Sequence, residues 1–351
     1  MSFVSKPRFH HPRLPRNALG LTRRDYEGAM STLCAGCGHD SVSAAIIEAC
    51  FELDLPAHRL AKLSGIGCSS KTPTYFLSKS HGFNSVHGRM ASVATGANLA
   101  NRDLTYVGVS GDGDTASIGL GQFAHAVRRQ VDMLYVVENN GTYGLTKGQF
   151  SATNDRVSVG RKGQRNAFEA IDLAVMAIQL GASFVARGFS GDKDQLVPLI
   201  KAALTHRGFA FIDVISPCVT FNNHFGSTKS FEFVRDHEHS VLATDYVPYH
   251  ETITASYAEG EVIDVTLHNQ CRLRLRKLDS DYDHGDPVGA VRYIMDRQAQ
   301  GEVVTGLLYL DTGDDDLREK LELTSRPLNS LDEDALRPSP EVLESINASL
   351  R

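Results

Sequence analysis

The chain has 351 residues, 42% of them apolar and 22% charged, enough to bury one large core or two smaller ones. A formal net charge of −6 argues against a nucleic-acid surface, and no uncharged apolar run approaches the length of a membrane helix. The N-terminus lacks the basic flank and apolar block of a secretion signal, and six unevenly spaced cysteines do not make a disulfide scaffold. The expected location is cytoplasmic, which turns cysteine toward metal or redox use.

Residues 1–30 read as a basic arm, with Lys6, Arg8, Arg13, Arg16, Arg23 and Arg24 set among Pro7, Pro12 and Pro15, which prevent a regular helix. The arm is either solvated or laid on a partner subunit. From Ser41 to Leu53, Val42, Ile46, Ala49 and Leu53 recur at helical spacing, and Cys50 falls beside them as a packing residue. Leu104 to Ser110 and Asp132 to Val137 are strand-like runs joined by a helix-compatible segment from Ile118 to Arg129, a β-α-β unit. The alternation continues with an amphipathic stretch from Phe168 to Leu180, a strand from Ser183 to Arg187, a helix from Gln195 to His206 and a strand from Phe209 to Ile215. This pattern implies an α/β fold, a doubly wound and mostly parallel sheet within residues 31–228. Residues 229–311 read as a C-terminal α/β extension: Val262 to Leu267 and Arg272 to Leu275 alternate like strands, Val288 to Arg297 is helical, and Val303 to Leu310 is apolar. Cys271 alternates with Leu273 and Leu275 and is assigned to packing. Residues 312–351, with Asp314, Asp315 and Asp316 together, read as an acidic peripheral tail.

Two segments that follow predicted strands carry chemistry. Gly111-Asp112-Gly113-Asp114 ends the first strand of the β-α-β unit, and Asn139-Asn140-Gly141-Thr142-Tyr143-Gly144 ends the second. A magnesium ion clamping a diphosphate takes hard oxygen ligands, and Asp112, Asn140 and the carbonyl of Thr142 supply them. The glycines at 111 and 113 admit phosphate to the backbone, and a helix predicted to start near Ser117 would aim its amides at it. By itself Gly-Asp-Gly-Asp is also an ordinary turn. With Asn140 at the end of the neighbouring strand, the pair resembles the thiamine-diphosphate motif, in which these positions hold the metal.

Cys34 and Cys37 form a Cys-x-x-Cys, and Cys68 and Cys218 lie far along the chain. Spacing alone fits a structural zinc site, a 4Fe–4S cluster or a dithiol pair. The order of the motifs is more informative: Cys-Ala-Gly-Cys-Gly-His from 34, Ser-Gly-Ile-Gly-Cys-Ser-Ser-Lys from 64, Val-His-Gly-Arg from 86 with Ala-Thr-Gly from 94, then Gly-Asp-Gly-Asp, Tyr-Gly-Leu-Thr-Lys-Gly-Gln from 143, and Ser-Pro-Cys-Val-Thr-Phe-Asn from 216. From about Leu33 through Asn223 the chain resembles the β, thiamine-diphosphate-binding subunit of 2-oxoacid:ferredoxin oxidoreductases.

The resemblance implies one 4Fe–4S cluster on Cys34, Cys37, Cys68 and Cys218, and thiamine diphosphate with Mg²⁺ on Asp112, Asn140 and Thr142. Cofactor contacts fall on Ile66, Gly67, Cys68, Ser69, His87, Gly111, Asp112, Gly113, Asp114, Asn140, Thr142, Gly144 and Leu145. It implies coenzyme A-dependent oxidative decarboxylation of a 2-oxoacid, electrons leaving to ferredoxin, and an α subunit that completes the thiamine site, so that this chain alone is inactive. The additional cysteine quartets of longer members are missing from the sequence. His87 is a candidate proton carrier or polar contact, and His39 is either such a contact or a core histidine. Lys71 and Lys147 are either substrate handles or solvated surface residues. An ammonium at Lys71 would favour a second carboxylate, hence 2-oxoglutarate over pyruvate.

Overall fold

Short apolar runs separated by glycine-containing turns become strands, and their alternation decides which residue faces which layer. In the computed structural model, residues 11–156, 158–160, 163–243, 262–266, 272–277, 282–313 and 315–350 are described. The strands of the first half are β1 (Leu60–Ser64), β2 (His81–Asn84), β3 (Thr105–Gly111) and β4 (Met133–Asn139), followed by a small hairpin of β5 (Thr142–Tyr143) and β6 (Gln149–Phe150). The second half adds β7 (Phe184–Phe189), β8 (Phe209–Ile215), β9 (Glu238–Ser240), β10 (Leu242–Ala243), β11 (Val262–Thr266), β12 (Arg272–Lys277) and β13 (Val303–Leu310).

Eight of these make one sheet in the order β2-β1-β3-β4-β8-β7-β13-β9. Its neighbours run parallel except β7 and β13, which are antiparallel. The doubly wound, mostly parallel sheet expected from the sequence is therefore present. The segment read as an extension contributes β9 and β13 to this sheet, and β10, β12 and β11 form a separate antiparallel sheet. Cys271, Lys6, Arg8 and Asp314 lie outside the described residues.

Helices α1 (Gly38–Glu52), α2 (Thr72–Tyr75), α3 (Met90–Ala100), α4 (Leu120–Arg128), α5 (Leu173–Gln179), α6 (Lys193–Thr205), α7 (Phe231–His237) and α8 (Pro287–Ala299) connect the strands. On β4, Leu134 and Val136 join the layer under α1 and α6, while Met133, Tyr135 and Val137 join the layer under α3, α4, α5 and α8. A strand covered on both faces has no polar side to show, which is why the run reads as continuously apolar. Cys50 is fully buried in the first layer, as its spacing suggests.

Two helices differ from their sequence-based limits for local reasons. The stretch from Phe168 shortens to α5 because Asp172 accepts a hydrogen bond from the Val175 amide at 3.0 Å and caps the helix there. Before α4, Gly113–Ile118 forms a π turn closed by the Gly119 amide on the Asp114 carbonyl at 2.8 Å, so the α-helix begins at Leu120 rather than near Ser117.

The tail begins with a buried Asp316, which caps α9 (Leu317–Lys320) and pairs with Arg318 at 2.7 Å. Phe123 of α4 meets Tyr135, Phe209 and Phe211 edge-on, with ring centroids 5.4, 5.9 and 5.1 Å away. Phe123→Ala should cost about 3–5 kcal/mol of stability, measured as a shift of the urea unfolding midpoint at unchanged slope.

Candidate functional site: a cleft at the strand ends

Strand β1 is followed outward by β2 and, on its other side, is paired with β3, so the crevice between the carboxyl ends of β1 and β3 is a topological switch point. The β1 loop brings Ile66, Gly67, Cys68 and Ser69 there, and the β3 loop brings Gly111, Asp112, Gly113 and Asp114. The β4 loop adds Asn140, Thr142, Gly144 and Leu145, and His87 closes the rim ahead of α3. All thirteen positions assigned as cofactor contacts line this one cleft. Lys71 and Lys147 are not in its wall: Lys71 is half-buried in the turn after Cys68, and Lys147 is exposed in a tight turn with φ +80°.

Asp112 is 1% exposed. Its Oδ2 accepts hydrogen bonds from the hydroxyls of Ser151 and of Thr153, the latter at 2.6 Å, while its Oδ1 faces only the Asn140 amide at 3.4 Å. Burial pushes the Asp112 carboxyl up, and these hydrogen bonds work against it. Asn140 and Thr142 are also buried, and the Thr142 amide donates to Asn140 Oδ1 at 3.0 Å. The donor set is therefore a carboxylate with an underused oxygen beside amide and carbonyl oxygens, which suits a hard divalent cation.

Glycine lets the β3 loop pack against the hairpin. A Cβ on Gly113 would sit 2.4 Å from the Tyr143 ring, whose hydroxyl donates to the Gly113 carbonyl at 3.1 Å. Asp114 acts as a clamp between loops: it accepts from the Ile66 amide at 3.2 Å, the Gly88 amide at 2.8 Å and the Ser110 hydroxyl at 3.0 Å.

The four cysteines gather at the edge of the cleft. A Cβ on Gly144 would lie 3.4 Å from the Cys68 sulfur and 3.6 Å from the Cys218 sulfur. Thr220 contacts the Cys34 sulfur at 3.7 Å, and the Gly38 amide donates to the Pro217 carbonyl at 3.3 Å, tying the Cys-x-x-Cys loop to the loop that carries Cys218. Gly38 is required there, because a Cβ would lie 2.7 and 2.8 Å from the hydroxyls of Ser216 and Ser190. Burial pushes the Cys37 thiol up to about 12, outweighing the His39 backbone amide that favours its thiolate. Cys68 is raised first by burial and then by the neighbouring Cys218, with Lys71 opposing. Among the described residues no three His, Cys, Asp or Glu side chains converge closely enough to hold a single metal ion.

Two more cleft residues lie between the cysteines and Asn140. Glu138, absent from the sequence-based site, is fully buried, with its one short partner the Thr72 hydroxyl at 2.9 Å, and burial pushes its carboxyl well up. His39 bonds the Ser216 hydroxyl through Nδ1 at 2.6 Å and is held down to about 4 by burial. It is therefore neutral, and its 3.7 Å approach to Glu138 is not an ion pair. A carboxylate inside an otherwise apolar strand was the available signal for Glu138. Tyr143, Ile118 and Thr146 complete the wall.

Residues 65–214 match the family model described as thiamine pyrophosphate enzyme, C-terminal TPP binding domain. The cleft thus belongs to a thiamine-pyrophosphate-binding fold. A 2-oxoacid:ferredoxin oxidoreductase subunit beta from Sulfolobus sp is 42% identical over 191 residues, 54% of this chain and 63% of that relative's length. The 2-oxoglutarate synthase subunit KorB of Methanocaldococcus jannaschii is 35% identical over 241 residues, 66% of this chain and 87% of the relative. A solved structure of 2-oxoglutarate:ferredoxin oxidoreductase from Magnetococcus marinus, with 2-oxoglutarate, coenzyme A and succinyl-CoA bound, superposes with a TM-score of 0.69 at 29% identity, covering 91% of this chain and 97% of that one. The chain belongs to the β subunits of the 2-oxoacid:ferredoxin oxidoreductase family.

Gly113→Ala forces the Tyr143 ring aside in the wall of the cleft. It should weaken thiamine diphosphate binding about ten-fold by equilibrium titration, the scale of a 1–3 kcal/mol overpacking cost.

Proposed function

We propose that the chain is the β subunit of a cytoplasmic enzyme that oxidatively decarboxylates a 2-oxoacid, with 2-oxoglutarate as substrate, coenzyme A as acyl acceptor and ferredoxin as electron acceptor. An α subunit supplies the rest of the active site. The observation that carries the reading is the shared wall: Cys68 lines the thiamine-type cleft, and its sulfur lies with that of Cys218 against Gly144, four residues from Asn140. Support for 2-oxoglutarate comes from the KorB relative and from the ligands of the Magnetococcus enzyme.

Thiamine diphosphate, when bound, supplies the carbon chemistry that lets a 2-oxoacid lose carbon dioxide and leave as an acyl group. A cysteine-ligated 4Fe–4S cluster supplies one-electron acceptance at low potential. The roles of the chain's own residues follow from their positions. Asp112 Oδ1, Asn140 Oδ1 and the Thr142 carbonyl hold Mg²⁺, and Gly111 and Gly113 keep the backbone open beside the phosphates. Asp114 fixes the β1 loop and Gly88, and through it the neighbouring His87, the candidate polar contact or proton carrier on the exposed rim of the cleft. Cys34, Cys37, Cys68 and Cys218 hold the cluster. A tetrahedral zinc site would bring four sulfurs within about 3.8 Å of one another, given bonds of about 2.3 Å. In a 4Fe–4S cluster each cysteine binds a different iron, so the sulfurs stand farther apart. Lys71, three residues after Cys68, is the proposed partner for the distal carboxylate of 2-oxoglutarate, and Lys147 is a second, more exposed handle.

Anaerobically purified protein should be brown, bleach with dithionite and contain iron and sulfide in equal amounts, and Cys218→Ser should lose most of both. Colourless protein with stoichiometric zinc would refute the cluster. With the α subunit and a viologen dye as acceptor, Lys71→Ala should raise KM for 2-oxoglutarate about ten-fold or more, the scale of one charge-assisted hydrogen bond. KM for 2-oxobutyrate should hardly move, and equal effects on both substrates would sink the assignment.

A further inference from the structure

The hairpin of β5 and β6 does more than carry Thr142. Leaving β6 at Phe150, the chain doubles back under the β3 loop, where the Ser151 amide bonds the Gly141 carbonyl at 3.3 Å and the Ala152 amide bonds the Ser117 hydroxyl at 3.1 Å. That return places Ser151 and Thr153, two positions apart and on the same side of an extended turn, against Asp112. Both are buried, at 6% and 1% exposure, and their hydroxyls converge on one carboxylate oxygen, Oδ2.

The anchor continues away from the cleft. Thr153 Oγ1, its one proton given to Asp112, packs 3.0 Å from Asn139 Oδ1 without a second hydrogen bond, and Asn139 Nδ2 donates to Asp213 Oδ1 at 3.0 Å. Arg187 Nε donates to Asp213 Oδ2 at 3.0 Å and its terminal nitrogen to Asp172 at 2.6 Å. Asp172 caps α5, so Asn139, against which Thr153 packs, is fixed through Asp213 and Arg187 to strands β7 and β8 and to a helix end.

A carboxylate can bind a cation through one oxygen or both. In octahedral coordination around a small ion, with two phosphate oxygens to accommodate, monodentate binding with a fixed carboxylate plane is the useful mode. Two hydroxyls donating to Oδ2 occupy its lone pairs and turn Oδ1 toward Asn140. From this geometry we infer that Ser151 and Thr153 are positioning residues for the cofactor metal, holding Asp112 as a one-oxygen ligand. This rests on the metal reading given above, and it assigns a role to two residues that do not line the cleft.

The test is Mg²⁺-dependent binding of thiamine diphosphate to the full chain with its α subunit, followed by titration under anaerobic conditions, with the thermal midpoint of the cofactor-free protein measured in parallel. Thr153→Val and Ser151→Ala should each raise the Mg²⁺ concentration for half-saturation about ten-fold, as loss of a hydrogen bond to a charged group implies. Thr153→Ser, which keeps the hydroxyl, should restore it to near the wild-type value. Should Thr153→Val fail to fold, Ser151→Ala and Thr153→Ser carry the same comparison. Half-saturation unchanged in the hydroxyl-deleted variants overturns the inference while the metal reading stands. A uniform fall in thermal midpoint with no change in Mg²⁺ dependence also overturns it, by reducing both residues to structural support. If wild-type binding needs no divalent cation, the metal reading itself fails and the inference with it.

Discussion

A carboxylate buried to 1% exposure with no basic side chain paired to it among the described residues is the constraint around which this site is arranged. Ionised, such a group has lost its hydration and must be repaid locally. Asp112 receives two hydroxyl donors on one oxygen and a long amide contact on the other, an allotment that stabilises the charge without saturating it. The chain meets this demand by converging three segments on one point: the β3 loop that carries Asp112, the β4 loop that carries Asn140 and Thr142, and the strand return that carries Ser151 and Thr153. The sheet order makes that convergence possible, since β3 and β4 are neighbours with their carboxyl ends side by side.

The cysteines obey the same topology. Strands β1 and β8 flank the β3 and β4 pair, so the loops after β1 and β8 bracket the β4 loop from two sides. Gly144 lies between them, near enough to both sulfurs that the wall between the cleft and the proposed cluster is a single backbone thickness. The Cys-x-x-Cys immediately precedes α1, whose first residue, Gly38, rests on the loop that carries Cys218. A cluster there and a cofactor in the cleft would share Cys68 as a common boundary, and electron transfer would need no intervening domain.

Much of this was legible in the sequence because parallel strands announce themselves as apolar runs and their carboxyl ends are where loops acquire function. The limits of β8 and the β3–α4–β4 unit follow from such runs, whereas the thirteen cleft positions are what the resemblance carried by the motifs implies. What escaped notice has a common physical character. Ser151 and Thr153 lie in a loop without periodicity, and their partner is some 40 positions away, so nothing local marks them. Asp114 sits inside a phosphate-type motif yet spends its carboxylate on Ile66, Gly88 and Ser110, contacts that exist only once three loops are folded together. The π turn after Gly113 likewise depends on a long-range requirement, the close passage of Gly88 beside Gly119, which a helical period does not encode.

Two buried carboxylates, Asp112 and Glu138, show how local donors divide labour. Glu138 and Asp112 end adjacent strands, and burial raises both. Asp112 is met by several donors and left with a free oxygen, the condition of a group kept ready for a cation. Glu138 is met by the single proton of Thr72 and by a neutral His39, so nothing compensates a charge there. The difference is one of hydrogen-bond supply rather than depth, because both side chains are essentially inaccessible. Burial therefore acts against negative charge on Glu138, at the wall between Asn140 and the cysteines, with only the Thr72 hydroxyl opposing it. The loop after β3 and the end of β4 thus place the same functional group in two different hydrogen-bond environments at similar depth, and the number of donors aimed at each sets how far burial is opposed.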